Sequence, residues 1–259
     1  MSDKVLSLVI PVYNEEATLK KMIKKVIDSL SGQMTLELII VDDCSTDDSY
    51  KVATKIKNEY KNIIKLYQHN QNKGKGAALH TGIMKATGDY IGIQDADLEY
   101  DPADYIKLVE IIQKYNADVV YGSRFIRLSE NKITSFCHIM INKFLTFCSN
   151  CFTNLSITDM ETCYKLFKKD IIQSITPKLK EQRFGFEPEV TQWVANTTNN
   201  IYECAINYFP RNYKEGKKIN WKDGVKAVYC IVKYGFPTAP LITKIAMLLS
   251  GLVLLAIIF

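Results

Sequence analysis

Two acidic residues follow an apolar segment of strand length at residues 90–94. Asp95 and Asp97 stand two positions apart, and Glu99 could add a third carboxylate. Hard oxygen ligands of this kind suit Mg²⁺ or Mn²⁺, whose remaining coordination positions go to water and phosphate. The spacing therefore predicts a site that holds a divalent cation and the phosphates attached to it. The alternative interpretation is a solvated acidic loop before a helix that begins at Pro102.

A second acidic pair ends another strand-like segment, at residues 36–41. Asp42 and Asp43 could accept hydrogen bonds from a base or a ribose. The alternative is a helix N-terminus, where the negative charges of Asp42, Asp43, Asp47 and Asp48 would favour the macrodipole. The two interpretations are compatible, because different members of the group can serve different roles.

A glycine-rich loop and a Cys-x-x-Cys motif are weaker signals. Residues 74–76 lack the spacing of a phosphate-binding loop, and Leu79 stands where a dinucleotide fingerprint requires its third Gly. This favours tight packing between a strand and a helix, with Lys75 kept as a candidate near a diphosphate. Cys148 and Cys151 have no second Cys pair or His pair to complete a zinc site, which favours buried thiols.

Alternating strand and helix patterns would position the acidic pairs at one edge of a sheet. Such alternation predicts an α/β fold with a mostly parallel sheet and helices on both faces, and ligands of these folds bind beyond the carboxyl ends of the strands. After Gly122 the alternation is lost. The predicted strands are residues 5–12, 36–41, 63–67, 90–94, 119–121 and 201–206, and the predicted helices are residues 17–30, 46–60 with Thr46 as the cap, 77–86, 102–115, 133–152 and 186–195, while residues 159–170 are mixed.

Composition and charge exclude several classes of protein. The apolar fraction of 47% is typical of a packed core, and a net charge of +5 is too small to indicate a nucleic-acid partner. Seven Cys residues without a secretory signal indicate reduced thiols. We therefore expect the catalytic part to be cytosolic.

The C-terminal region predicts contact with a membrane. Residues 221–234 form an amphipathic, Lys-rich helix pattern, and residues 241–259 carry one charge, Lys244. At 1.5 Å per residue, a helix over residues 241–259 would reach about 28 Å, close to the roughly 30 Å core of a bilayer. We expect a catalytic domain at residues 1–220, an interfacial helix at 221–236 and a single-pass anchor at 237–259, with the catalytic domain on the cytosolic face. A buried core helix is the alternative to the anchor.

Five motifs, in this order along the chain, carry a resemblance to a known family. The sequence resembles the inverting GT-A glycosyltransferases of family 2, and within them the polyprenyl-phosphate sugar synthases such as the dolichyl-phosphate mannose synthases. A Q-x-x-R-W motif of processive synthases is missing, which favours a single transfer. The motifs are residues 9–15 (VIPVYNE), 41–47 (VDDCSTD), 72–76 (NKGKG), 95–98 (DADL) and 122–125 (GSRF), with looser matches at 159–165 (DMETCYK) and 216–224 (GKKINWKDG).

The resemblance implies roles for individual residues. Asp95 and Asp97 would hold the metal and the diphosphate of a nucleotide sugar, with Glu99 as a further ligand. Asp42 would contact the base or ribose, and Arg124 would lie near the donor sugar and the acceptor phosphate. The residues implied to line the base are Pro11, Tyr13 and Glu15, and the basic residues implied around the acceptor are Arg211, Lys217 and Lys218.

The acceptor decides the mechanism. A lipid phosphate is already anionic and needs no general base, whereas a sugar hydroxyl requires a carboxylate to take its proton. We expect a UDP- or GDP-sugar donor and a polyprenyl phosphate acceptor, with a hydroxyl acceptor and a non-enzymatic membrane scaffold as alternatives and a homo-oligomer left open. The candidates for a general base are Asp159, Glu161, Glu187 and Glu189.

Overall fold

The computed structural model describes residues 4–126, 132, 135–210, 221–241 and 243–245. Within these residues, a single sheet has the strand order β3-β2-β1-β4-β6-β5-β7. Its strands are β1 (Val5–Val12), β2 (Thr35–Asp42), β3 (Ile64–Gln68), β4 (Tyr90–Ile93), β5 (Val119–Ser123), β6 (Lys165–Lys168) and β7 (Ile201–Ala205). The α-helices are α1 (Leu19–Leu30), α2 (Ser49–Glu59), α3 (Lys75–Lys85), α4 (Asp104–Lys114), α5 (Phe136–Thr153), α6 (Lys169–Ile175), α7 (Phe186–Thr197) and α8 (Trp221–Gly235), and a 3₁₀ turn covers Thr176–Lys178.

The prediction of a mostly parallel sheet with flanking helices is confirmed. Strand β1 pairs in parallel with β2 and β4, β2 with β3, and β5 with β7. Consecutive residues such as Leu8, Val9 and Ile10 are all fully buried, because helices cover both faces of these strands. Parallel pairing brings the carboxyl ends of β1, β2 and β4 to one edge, where the acidic pairs of the sequence lie.

Strand β6 and helix α6 were not predicted. Strand β6 lies between β4 and β5 and runs antiparallel to both. Its four residues are too few to show a period in the sequence. Lys165, the first residue of this strand, is fully buried. Its burial is tolerated because its ammonium group donates hydrogen bonds to the carbonyl oxygens of Met160 and Thr162.

The predicted cap of α2 was wrong by a few residues. Helix α2 begins at Ser49, and Thr46 belongs to the preceding loop, where its main-chain N–H donates to Asn14 Oδ1 over 2.8 Å. The N–H groups of Asn14 and Glu15 in turn donate to the hydroxyls of Ser45 (3.0 Å) and Ser49 (2.7 Å). These bonds fix the loop after β1 to the loop after β2.

Helix α8 packs on the catalytic fold through α5 and α7. The Glu181 carboxylate binds Lys226 Nζ (3.3 Å) and Lys233 Nζ (3.2 Å), and Phe152 packs directly against Gly235. Among the described residues, no helix is long and apolar enough to cross a bilayer. Most of the anchor expected at 237–259 lies outside those residues, including all of 246–259.

Candidate active site

The first carboxylate of the DxD motif is held by a lysine. Lys75, at the first position of α3, reaches Asp95 Oδ1 at 2.9 Å and Glu187 Oε1, in the first turn of α7, at 3.1 Å. Burial disfavours the ammonium charge, but the two carboxylates outweigh burial and raise the pKa of Lys75 well above its ordinary value. Lys75 is therefore a permanent cation beside Asp95.

Asp43 positions the loop that carries Lys75. Its carboxylate accepts hydrogen bonds from the main-chain N–H groups of Lys73 (3.0 Å) and Gly74 (2.6 Å), and it binds His69 Nδ1 at 2.7 Å. Gly74 has a φ of +101°, and a Cβ there would lie 2.5 Å from the carbonyl oxygen of Gln182. Sequence reasoning considered Asp43 for the base, the ribose or a helix terminus, and missed this positioning role.

Asp97 and Glu99 continue the acidic segment but do not form a closed cage with Asp95. Asp97 Oδ1 accepts a hydrogen bond from the Glu99 N–H (3.0 Å), and Glu99 Oε2 accepts one from the Tyr208 hydroxyl (3.0 Å). In the described part of the chain, no three His, Cys, Asp or Glu side chains are arranged to hold a metal ion. The half-exposed carboxylates of Asp95 and Asp97 fit a cation that arrives with a diphosphate, since Mg²⁺ commonly takes only one or two protein carboxylates beside substrate phosphates.

One carboxylate oxygen of Asp42 is buried without a hydrogen-bond donor among the described residues. Its Oδ2 accepts hydrogen bonds from the Ser45 N–H (3.2 Å) and from Gln68 Nε2 (3.1 Å). Its Oδ1 is buried and has no hydrogen-bond partner among the described residues. A buried acceptor left unpaired costs about 1–3 kcal/mol, which a donor group of a bound ligand would recover.

The other residues implied to bind the base lie at the end of β1. Pro11 is half-buried and Tyr13 is exposed, so an aromatic ring is accessible at this edge of the sheet. Glu15 Oε2 accepts a hydrogen bond from the Thr18 hydroxyl (2.7 Å) just before α1. The structure thus brings the three residues to the same edge as Asp42.

Arg124 lies at the end of β5 and is bound within the protein. Its Nε and Nη2 each donate to Asp159 over 2.7 Å, and Nη2 is 3.4 Å from Asn142 Oδ1. Burial opposes the guanidinium charge, but Asp159 outweighs it and raises the pKa of Arg124 further above its ordinary value. The guanidinium group that the resemblance places near the acceptor phosphate is therefore held through Nε and Nη2 by Asp159, whose side chain is fully buried.

Three of the four carboxylates considered as a general base are also engaged within the protein. Asp159 binds Arg124 through both oxygens, and Glu187 pairs with Lys75. Glu189 is fully buried and accepts three hydrogen bonds from main-chain N–H groups of the loop before α7. Both carboxylate oxygens of Asp159 and of Glu189 have protein donors, and Glu187 is held through Oε1.

Glu161 differs from these three carboxylates. Its Oε1 is buried and has no hydrogen-bond partner among the described residues. Burial, reinforced by the negative charge of Glu187, raises the pKa of Glu161 to about 8, although Lys165 opposes the shift. Glu161 is therefore a carboxyl group that can exchange a proton near neutral pH.

The remaining candidates divide into two groups. Arg211, Lys217 and Lys218 lie outside the described residues. Cys148 and Cys151 lie on α5 as free, half-buried thiols rather than fully buried ones.

Comparison with known proteins identifies the family. Residues 7–176 match the profile of glycosyl transferase family 2, which is more than half of the chain. The chain belongs to glycosyl transferase family 2. It is a glycosyltransferase, and its mixed sheet with flanking helices is the GT-A type of fold.

Two relatives and one solved structure are similar to this chain. The chain is 30% identical over 243 residues to the UDP-N-acetylglucosamine–dolichyl-phosphate N-acetylglucosaminyltransferase of Methanococcus voltae, across 88% of this chain and 95% of that protein. It is 29% identical to the dodecaprenyl-phosphate galacturonate synthase of Rhizobium johnstonii, across 82% of this chain and 61% of that protein. The crystal structure of glucosyl-3-phosphoglycerate synthase from Mycobacterium tuberculosis, solved with Mn²⁺ and UDP, is similar with a TM-score of 0.64 and 17% identity, across 90% and 80% of the two chains.

Because Arg124 pairs with the buried Asp159, substitution of Arg124 should lower the stability of the fold. Arg124→Lys keeps the charge of this family 2 enzyme but removes one of the two hydrogen bonds to buried Asp159. We expect a loss of about 2–3 kcal/mol of stability and a fall in melting temperature of roughly 4–12 °C, measured by differential scanning calorimetry. Arg183→Lys, at an exposed position, is the control and should melt like the native protein. Unchanged melting with lost transfer would instead assign Arg124 to the acceptor.

Glu161 should make the stability of the enzyme depend on pH. Its pKa is about 8 in the folded chain against an ordinary value of 4.5, so the folded state binds more protons between these values. Stability should therefore fall as pH rises from about 4.5 to 8. Glu161→Gln cannot ionise, so its melting temperature should fall less between pH 5.5 and 8.5. The exposed control Glu110→Gln should follow the native curve, and a native-like curve for Glu161→Gln would refute the raised pKa.

Proposed function

We propose that this chain transfers a sugar, with inversion, from a UDP-sugar to a polyprenyl phosphate. One observation favours this acceptor: three of the four candidate bases, Asp159, Glu187 and Glu189, are held by protein donors, which leaves only Glu161 of the four with a buried oxygen that has no partner among the described residues. An anionic phosphate acceptor needs no such base, and its reaction depends on positioning and charge. The names of the Methanococcus and Rhizobium relatives support the same acceptor class.

The donor would bind along the carboxyl edge of β1, β2 and β4. We assign the unpaired Oδ1 of Asp42 to a donor group of the base or ribose, with Pro11 and Tyr13 beside the base. Asp95 and Asp97 would hold Mg²⁺ or Mn²⁺ together with the diphosphate. When bound, the cation stabilises the charge that develops on the leaving diphosphate. Lys75 would keep Asp95 oriented toward that cation and add positive charge near the phosphates.

Glu99 would support the metal site from the side. Its carboxylate is bound by the Tyr208 hydroxyl, and Phe209 donates its main-chain N–H to the Glu99 carbonyl oxygen over 2.7 Å. The Arg124 guanidinium carbon lies 5.1 Å from the centre of the Tyr208 ring. Tyr208 thus links the acidic segment to the Arg124–Asp159 pair, which we place at the boundary between donor and acceptor.

The acceptor would come from a membrane. We propose that residues 221–236 lie in the interface, that residues 237–259 anchor the chain, and that catalysis occurs on the cytosolic face. Exposed Val225, Tyr229 and Val232 on α8 support the interfacial role. Arg211, Lys217 and Lys218, which precede α8 in the sequence, are our candidates for the acceptor phosphate.

The second candidate function is transfer to a sugar hydroxyl. Glu161 favours it, because a carboxyl group with a pKa of about 8 and an unpaired oxygen has the properties of a general base. Under this alternative, Glu161 would take the proton of the acceptor hydroxyl.

Partitioning of a labelled product separates the two acceptor classes. Full-length protein is incubated with Mn²⁺, labelled UDP-N-acetylglucosamine and undecaprenyl phosphate in detergent, with undecaprenol as the matched control. With undecaprenyl phosphate, we expect label in the organic phase and release of an equimolar amount of UDP. With undecaprenol, we expect neither. Glu161→Gln should retain this activity within about threefold, whereas loss of a general base costs about 100-fold or more. Equal reaction of undecaprenol, or inactivity of Glu161→Gln with native-like folding, would contradict the proposal.

A further inference from the structure

The segment of residues 159–164 connects two parts of the candidate active site. At its start, Asp159 binds Arg124 through both carboxylate oxygens. At its end, the Tyr164 hydroxyl donates a hydrogen bond to Gln94 Oε1 over 2.7 Å. Gln94 directly precedes the DxD motif. The segment therefore reaches from Arg124 to the end of the strand that carries the acidic residues.

The ammonium group of buried Lys165 fixes the middle of this segment. It donates hydrogen bonds to the carbonyl oxygens of Met160 and Thr162, the residues on either side of Glu161. The Met160 N–H also donates to the hydroxyl of Thr146 on α5 over 3.0 Å. The main chain around Glu161 is thus held in place by the protein, as the main chain of a ligand-binding residue has to be.

The carboxyl group of Glu161 is left unused by this arrangement. Its Oε1 is buried and has no hydrogen-bond partner among the described residues, although the residue as a whole is only half-buried. A pKa of about 8 keeps the group largely protonated at pH 7, so that it can donate and accept a hydrogen bond. A hydroxyl group has the same two capacities and would satisfy the unpaired oxygen.

The position of Glu161 indicates which part of the substrates carries that hydroxyl. The diphosphate is placed at Asp95 and Asp97 and the acceptor phosphate beyond Arg124. The sugar has to lie between them, because its anomeric carbon breaks its bond to the leaving diphosphate and forms one to an acceptor oxygen. Glu161 is in the middle of the segment that joins these two places. Building on the proposed function, we infer that Glu161 binds a hydroxyl group of the donor sugar and orients the sugar for transfer.

A sugar contact and a general base make different demands on residue 161. Glu161→Gln cannot take a proton, but its amide still donates and accepts hydrogen bonds, so it preserves a sugar contact. Glu161→Leu has a similar volume and removes both capacities. Thr162→Val is the matched control within the same segment. Its Oγ1 is also buried and unpaired among the described residues, but Thr162 is fully buried, so a bound sugar does not reach it.

Calorimetric titration without an acceptor tests the contact. Full-length protein in detergent with Mn²⁺ is titrated with UDP, UDP-glucose and UDP-N-acetylglucosamine. We expect Glu161→Leu to weaken each sugar nucleotide that the native protein binds about tenfold or more, while UDP affinity changes less than about twofold because UDP lacks the sugar. Glu161→Gln and Thr162→Val should stay within about threefold of the native affinities, because they keep the hydrogen-bonding group at position 161.

The melting temperature separates a sugar contact from a structural role. Glu161→Leu should melt no lower than the native protein, since Oε1 has no described protein partner to lose. Native-like affinity of Glu161→Leu for the sugar nucleotides would overturn the inference and leave the UDP-sugar donor in place. An equal loss of UDP affinity, or an equal effect of Thr162→Val, would also overturn it. Failure of the native protein to bind UDP would refute the proposed donor, and the inference with it.

Discussion

Lys75 joins three parts of the fold with a single ammonium group. It begins α3, and it binds Asp95 beyond β4 and Glu187 in α7. A cation at a helix N-terminus is unfavourable on its own, so its position requires the two carboxylates. The loop that delivers it is held in turn by Asp43, which accepts the N–H groups of residues 73 and 74. The orientation of Asp95, the first carboxylate of the proposed metal site, therefore depends on charges from both halves of the chain.

Pairing of opposite charges is also found among the other buried residues of the candidate site. Two groups of opposite charges are paired there: Asp95 and Glu187 share Lys75, and Asp159 pairs with Arg124. Paired in this way, buried ions are tolerated, whereas removal of one partner would leave an uncompensated charge. Glu161 differs from these pairs, because its burial and the nearby negative charge of Glu187 favour the protonated form. Glu161 is consequently a buried group of this region that can change its charge near neutral pH.

The local hydrophobic pattern of the sequence was enough to predict the part of the candidate site that lies at the ends of β1, β2 and β4. A continuous apolar run predicted β1 with its observed bounds. Because the carboxyl ends of parallel strands lie at one edge of a sheet, the predicted sheet also placed Asp42 and Asp95 at the same edge. Contacts between distant segments carry no periodic signal, so the pairing of Arg124 with Asp159 had to come from the structure. Strand β6 was missed for a related reason. Its four residues gain their extended form from β4 and β5 rather than from their own sequence.

The central claim is that Asp95 and Asp97 hold the donor diphosphate through a divalent cation at the end of β4. Calorimetric titration of the full-length protein with UDP, in Mn²⁺ or in chelator, measures this directly. Asp97→Asn can keep the hydrogen bond to the Glu99 N–H but loses the charge, and the exposed Asp28→Asn is its control. The account predicts that UDP binding requires Mn²⁺. It also predicts that Asp97→Asn weakens UDP binding at least about 30-fold, or roughly 2 kcal/mol, whereas Asp28→Asn leaves it unchanged. Equally tight UDP binding in chelator, or native affinity in Asp97→Asn, would contradict it.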